Sequence, residues 1–286
     1  MKKCIYILIL LLITVSCSIE IPESPESIVI EGWIENDEAP VVFVTSSIST
    51  TLDEMGMNDL LEHVAFNAKV TVTHNGITYP LSPTFSNEYL LKLCYTTNTL
   101  KGEVGGTYKL DVDWKGMHAE AVTSIPTPGS VDSIAIERHK TIDTLYLVKA
   151  HIVPAPDVRY YRFFGMAVNK DSTYSPSYLG TFDSNLNKDE MIAVNRGISN
   201  PIVTNEYYYS MGDSVNFKLG SLESNAYEFW YKFDENNMFS HVALMPYYNN
   251  LVGNISGGLG YWFGYGIKKY QLRIENKQAP ALIPAT

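Results

Sequence analysis

Asn67–Thr73 (NAKVTVT) alternates cleanly, with Ala68, Val70 and Val72 on one face and polar side chains on the other. His74-Asn75-Gly76 follows, and Asn-Gly is the strongest short hairpin signal; Ile77–Leu81 supplies the returning strand. The same period of two runs through Thr107–Trp114 and Met117–Thr123. Lys115-Gly116 joins them as a second hairpin, with Leu110, Val112 and Trp114 facing inward. Ser27–Glu35 and Pro40–Ile48 are β-branched and aromatic-rich strands separated by a turn-like NDEA, and Glu88–Tyr95 is another strand. Short strands at regular spacing predict an immunoglobulin-like β-sandwich over residues 27–124. Thr51–Ala65 departs from the pattern: Leu52, Met55, Leu60, Leu61 and Val64 read as a short helix or a long loop.

Ile125-Pro126-Thr127-Pro128-Gly129-Ser130 is a linker candidate, stiffened by two prolines that donate no backbone hydrogen bond. Strands then resume at Val131–Arg138, Leu145–Val153, Arg159–Val168, Ser177–Phe182, Ile202–Tyr209 and Ser214–Lys218. Residues 221–236 (SLESNAYEFWYKFDEN) change period. Leu222, Ala226, Phe229, Trp230 and Phe233 follow helical spacing, Ser221 is placed to cap, and Glu223 favours the positive N-terminal end. That aromatic stripe reads as core packing against a sheet. Leu251–Ile267 begins Gly-rich and ends as an aromatic strand that Gln271–Ile274 extends, with Gly257-Gly258-Leu259-Gly260 as a tight turn or bulge before it. The fold class is therefore mainly β: an N-terminal sandwich, then a second β-rich domain over 131–276 with one α-helix in the C-terminal half, and a tail over 277–286.

The first residues have another pattern. Lys2 and Lys3 precede an apolar run, Cys4–Val15, of about a dozen residues, the length of a signal core. A spanning helix needs about 20. Thr14-Val15-Ser16-Cys17 resembles the lipoprotein signal motif, in which a small residue precedes a cysteine that is lipidated before cleavage; Thr14 stands where the motif usually has Leu. The expectation is a leader over 1–16, lipid on Cys17 and a tether over 17–26 that is Pro-, Ser- and Glu-rich. Each buried acyl methylene is worth about 0.8 kcal/mol, so two or more chains hold the protein on a membrane. Glu20, Glu23 and Glu26 loosely resemble the acidic signal that accompanies surface export in some Bacteroidota lipoproteins.

Loss of Lys2 and Lys3 with the leader takes the formal charge of the 286-residue chain from −10 to −12. That balance argues against nucleic acid as a partner, because such binding runs on Lys and Arg at phosphates. With lipid on Cys17, Cys94 in YLLKLCY has no disulfide partner and reads as a small buried apolar residue.

Candidate chemistry is sparse. The six histidines are scattered, with no HxH or HExxH. The best local cluster for a metal is Asp111, Asp113 and His118, because the Lys115-Gly116 turn sets His118 opposite Asp113. The alternative is a solvated outer face of the hairpin. No GxSxG elbow is present. Asp189-Glu190 and Asp234-Glu235 fall in polar, turn-like stretches that read as solvated. No cofactor and no catalytic set is expected. The aromatic segments Tyr207–Tyr209, Tyr247-Tyr248 and Tyr261–Phe263 offer a surface for a glycan, peptide or partner protein. Tyr247 and Tyr248 lie in a loop-like YYNN and are the better ligand-contact candidates.

Several segments together carry a family resemblance: Glu31-Gly32-Trp33-Ile34, NAKVTVTHNG, Gly106-Thr107-Tyr108-Lys109-Leu110, VNFKLGSLESNAYEFWYKF with Tyr227 and Trp230, and Val252-Gly253-Asn254-Ile255. In this order, and behind a lipoprotein-like start, they resemble the domain-of-unknown-function 4249 family of Bacteroidota outer-membrane lipoproteins. The resemblance implies a β-rich lipoprotein at the cell surface, anchored in the outer membrane, and a TonB-dependent receptor as partner in nutrient uptake. It implies no catalytic residues. The expected function is a non-catalytic binding or accessory subunit of unknown ligand. The alternatives are a structural or adhesive surface protein and a hydrolase of surface polymers.

Overall fold

Asn75 and Gly76 take φ of 50° and 77° and join β3 (Lys69–His74) to β4 (Ile77–Phe85). Lys115 and Gly116 repeat the geometry, at 50° and 78°, between β6 (Thr107–Trp114) and β7 (Met117–Ser124). Left-handed conformation at both central residues gives a turn whose twist matches the flanking strands. It also sets the register, so Val72 lies opposite Tyr79 and Asp113 opposite His118. The computed structural model describes residues 26–47, 63–89, 91–188, 190–197, 208–239, 251–275 and 283–284. The leader, Cys17, residues 17–25 of the tether, most of the Thr51–Ala65 segment, Ile202–Tyr207, and Tyr247 and Tyr248 lie outside the described residues.

In the first half, β1 (Ile28–Glu35) pairs with β2 (Val41–Ser46), and β2 with β5 (Leu93–Thr96). β4 changes partner along its length, with β3 up to Leu81 and with β5 from Ser82 onward, which carries the sheet round onto itself. Alternation then works as expected: Ile28, Ile30 and Ile34 meet Val70, Val72, Leu110 and Val112 in one core. The strand expected from Glu88 is confined to β5; Tyr89 instead packs edge-on against Trp33 and Phe43.

The second half has a sheet of β11 (Ser175–Asp183), β10 (Tyr160–Ala167), β14 (Ser214–Leu222) and β15 (Leu259–Arg273), in that order. A smaller sheet covers one of its faces. There β9 (Leu145–Val153) pairs with β8 (Ser130–Arg138) on one edge and with β12 (Ile192–Val194) and β13 (Tyr209–Ser210) on the other. Tyr161, Phe163, Phe217, Leu219 and Tyr270 fill the core between the two sheets with Val148 and Ala150. A short β16 (Ile283–Pro284) pairs with β15.

β15 belongs to both halves. Leu259–Tyr265 pairs in parallel with β1, and Gly266–Arg273 pairs antiparallel with β14. Trp262 is buried in the first core, Tyr270 and Leu272 in the second. The stretch 259–265, read from sequence as part of a unit over 131–276, thus adds a strand to the sheet of β1. The Ser124–Pro128 segment crosses β15 at close range. A Cβ on Gly264 would lie 2.2 Å from the Ser124 carbonyl oxygen, and one on Gly266 would lie 2.0 Å from that of Pro126. The chain bends at Gly257-Gly258 just before the strand, with Gly257 at φ of 78°, and Gly260, at 97°, lies within β15 opposite Ile30.

Among the described residues one α-helix is present, α1 (Ser224–Phe239), starting later than the predicted 221. Ser221 and Leu222 stay in β14, paired with Gly266 and Tyr160. The Ser221 hydroxyl accepts from the Gly129 amide instead of capping the helix. Glu223 takes the cap position, its carbonyl accepting from the Tyr227 amide at 3.0 Å. Ala226, Phe229 and Trp230 are buried against Phe263, Tyr265 and Ile267 of β15, as the helical stripe predicted. No described helix is long and apolar enough to cross a membrane.

Candidate functional site

The helix lies on one face of the central sheet. Period-two alternation brings Trp33 and Glu35 of β1, Lys218 of β14, Tyr261 and Tyr265 of β15, and Phe164 of β10 to that same face. With Trp230 of α1, Tyr89 and the Thr173–Tyr174 loop they enclose a cavity of about 220 Å³ at the seam between the two sandwiches. Its walls are mostly aromatic. Trp33 meets Tyr89 edge-on at 5.7 Å, Trp230 meets Tyr261 at 5.1 Å, and Phe164 meets Tyr265 at 5.9 Å.

The charged groups of the wall are Lys218 and Glu35, and they pair. Lys218 Nζ donates to Glu35 Oε2 at 2.7 Å and to Oε1 at 3.0 Å, and sits 4.4 Å above the Tyr174 ring. The side chains are 13% and 11% exposed, so neither charge relies on bulk water. Burial pushes the Tyr89 phenol up to about 12, with the Glu88 carboxylate adding to the effect. Burial also raises Tyr174 and Tyr265. These hydroxyls therefore stay protonated at neutral pH. Trp230 Nε1 donates to the Tyr265 hydroxyl at 2.8 Å, which fixes both rings.

Beneath Trp230 lies a second ion pair. Arg162, 1% exposed, donates through two guanidinium nitrogens to Asp234 at 3.0 and 3.2 Å, and Thr181 donates to the same carboxylate at 2.7 Å. The guanidinium stacks 4.5 Å over the Trp230 ring. Asp234 is thus a buried helix residue that clamps α1 to β10 and β11, which corrects the sequence reading of Asp234-Glu235 as a solvated turn. The Asn195 carboxamide bonds both the amide and the carbonyl of Tyr178 on β11.

The sequence-predicted hairpin cluster does come together. His118 Nδ1 is 2.8 Å from Asp113, and Asp111, His118 and Glu120 have ligand atoms within 4.8 Å of one another. Glu120 was not foreseen; it joins because register sets it opposite Asp111. Lys109 already places its ammonium 2.9 Å from Asp111 and 2.7 Å from Glu120, and its bond to Glu120 lowers that carboxyl. The arrangement is an outer-face salt-bridge network around Lys109. Cys94 is buried, and burial raises its thiol. A larger groove of about 640 Å³ runs past His151, Arg159 and Lys188, walled by the end of β9 and by mostly exposed loop residues. There His151 is bonded to Asp132 and Arg159 to Asp183. The aromatic cavity is the better-defined site.

Of the aromatic segments singled out in the sequence, Tyr261 lines the cavity while Trp262 and Tyr209 are core. Trp33, Glu35, Tyr89, Phe164, Tyr174 and Lys218 were missed as site residues. One signal was available: Trp33 and Glu35 alternate on β1 opposite the apolar face of Ile28, Ile30 and Ile34, which marks a second face of the strand.

The family model described as Domain of unknown function (DUF4249) matches residues 15–271, and the chain belongs to that family. No curated protein matches the chain. Among solved structures, one titled "Cytokine receptor complex - Crystal form 2" is similar at 12% identity and a TM-score of 0.25, covering 69% of this chain and 92% of that one. A second, "Cytokine receptor complex - Crystal form 1A", has the same identity and TM-score, covering 69% of this chain and 85% of its own. A likeness at that level carries nothing on fold or function.

Proposed function

We propose that this member of the DUF4249 family is a lipid-anchored binding subunit at the outer membrane, facing the cell exterior, that works with a TonB-dependent receptor in nutrient uptake. The observation that carries the binding reading is the aromatic cavity. It sits where the two sandwiches share β15, and both halves contribute to its wall. Its walls are mostly aromatic and its ammonium and carboxylate pair with each other, which supports a binding role. The leader-like start and the acidic stretch after Cys17 support the address.

The test is a pull-down of the full chain, expressed in its native host, from detergent-solubilised outer membranes. A β-barrel receptor is expected to co-purify in stoichiometric amount, and its absence overturns the receptor partnership. Mass spectrometry of the mature N-terminus checks the anchor separately: diacylglyceryl on Cys17 is expected, and an unmodified N-terminus refutes it.

A further inference from the structure

We propose that the aromatic cavity takes one neutral sugar ring, held by stacking on its half-buried aromatics and by hydroxyl hydrogen bonds to the Lys218–Glu35 pair. This rests on the reading of the protein as a binding subunit and names its ligand class.

Size comes first. Pockets for drug-sized ligands run from about 300 to 1,000 Å³. At about 220 Å³, this one admits a single ring-sized unit. The walls come next. Trp33, Tyr89, Phe164 and Tyr174 are only partly covered, with Lys218 over one face of the Tyr174 ring, whereas Trp230 and Tyr265 behind them are buried and fixed by their mutual hydrogen bond. Such rings suit a ligand with an apolar side of C–H groups.

The polar wall narrows the class. Lys218 is a donor only and Glu35 an acceptor only, and their polar atoms lie side by side. A hydroxyl donates and accepts at once. Two adjacent hydroxyls on one ring edge therefore satisfy the carboxylate and the ammonium together without parting them. A cationic ligand would compete with Lys218 for Glu35, and an anionic one would compete with Glu35 for Lys218. Either would leave a partly buried charge without its partner. The pair selects against net charge, and Tyr89 and Tyr174, held protonated, add neutral donors.

The experiment is a tryptophan-fluorescence titration of the purified full chain, since Trp33 and Trp230 both line the cavity. The probes are the methyl glycosides of glucose, galactose, mannose and N-acetylglucosamine, with glucosamine, glucuronate and choline as charged comparators. A saturable change with at least one neutral glycoside is expected, at least about tenfold tighter than with any charged probe. Trp33→Ala and Tyr174→Ala should each weaken it by about tenfold or more, the second from a loop position that does not test folding. The double variant Glu35→Gln/Lys218→Met should abolish discrimination against the charged probes, with its melting temperature, read beside those of the single variants, showing that it is folded. Tighter binding of choline or glucosamine overturns the proposal in favour of a cation cage. No saturation with any neutral glycoside overturns it outright. Receptor co-purification is read independently, so failure here leaves the accessory-subunit reading standing or falling on its own test.

Discussion

Lys218 and Glu35 are 183 residues apart in the chain and 2.7 Å apart in the fold. β15 lies between their strands, so the pair spans the seam between the sandwiches and holds a face of the cavity in place. Removing one partner leaves a mostly buried charge unpaired, whereas removing both leaves none. Glu35→Gln and Lys218→Met are each expected to cost about 3 kcal/mol, and the double variant clearly less than the sum. Chemical denaturation of the four proteins gives the coupling; additive losses would show that the pair does not act as a unit.

Asp234 should matter more than any exposed acid of the same helix. Asp234→Ala strands the Arg162 guanidinium in a buried site and is expected to destabilise the protein by about 3–5 kcal/mol. Glu228→Ala, on the exposed face, should stay within about 0.5 kcal/mol. Hydrogen exchange in α1 should rise in the first variant and not in the second.

The shared strand needs its glycines for close approach. A methyl at Gly264 or Gly266 meets a carbonyl oxygen of the crossing segment. Either Ala substitution should cost at least about 2 kcal/mol, because backbone and not a flexible side chain must move. Gly76→Ala meets nothing and pays only for its φ of 77°, on the order of 1 kcal/mol. Equal melting temperatures for the three variants would contradict this ordering.

Asp183 gives a pH signature. The Arg159 guanidinium beside it holds its carboxyl below the ordinary value of 3.8. A folded-state value below the unfolded one means the stabilisation is present in full above the unfolded value and is lost as pH falls through the folded one. The stability gap between the native protein and Asp183→Asn should therefore be constant from neutral pH down to about pH 5 and close below about pH 4. Denaturation midpoints across that range measure it. A gap that widens on acidification would refute the assignment.

Much of the fold is legible locally. Val70 and Val72, Leu110 and Val112, and the Asn75-Gly76 and Lys115-Gly116 turns announce two hairpins, and their registers follow. The Phe229–Trp230 stripe announces a helix, though Ser221 misleads about its start because a tertiary contact with Gly129 claims its hydroxyl. The metal candidates are legible for the same reason as the hairpin: they are near in sequence. Their neutralisation is not: the register pairs Lys109 with Val122, and only the course of its side chain brings its ammonium to Asp111 and Glu120.

What the sequence determined by itself is therefore the β class, the hairpins, the helix that follows β14 and the buried stripes. Each depends on side chains a few residues apart, where periodicity and turn conformation leave a readable trace. The tertiary structure alone decided that β15 joins the strands of both halves in one sheet and that Trp33, Glu35, Tyr89, Tyr174, Lys218 and Trp230 line one cavity. Pairing Val29 with Leu259 needs no local pattern beyond that of any strand, and a strand's alternation is the same whichever neighbour it meets. The ion pair follows from that topology: only when β1, β15 and β14 lie side by side do the Glu35 carboxylate and the Lys218 ammonium come within hydrogen-bond reach.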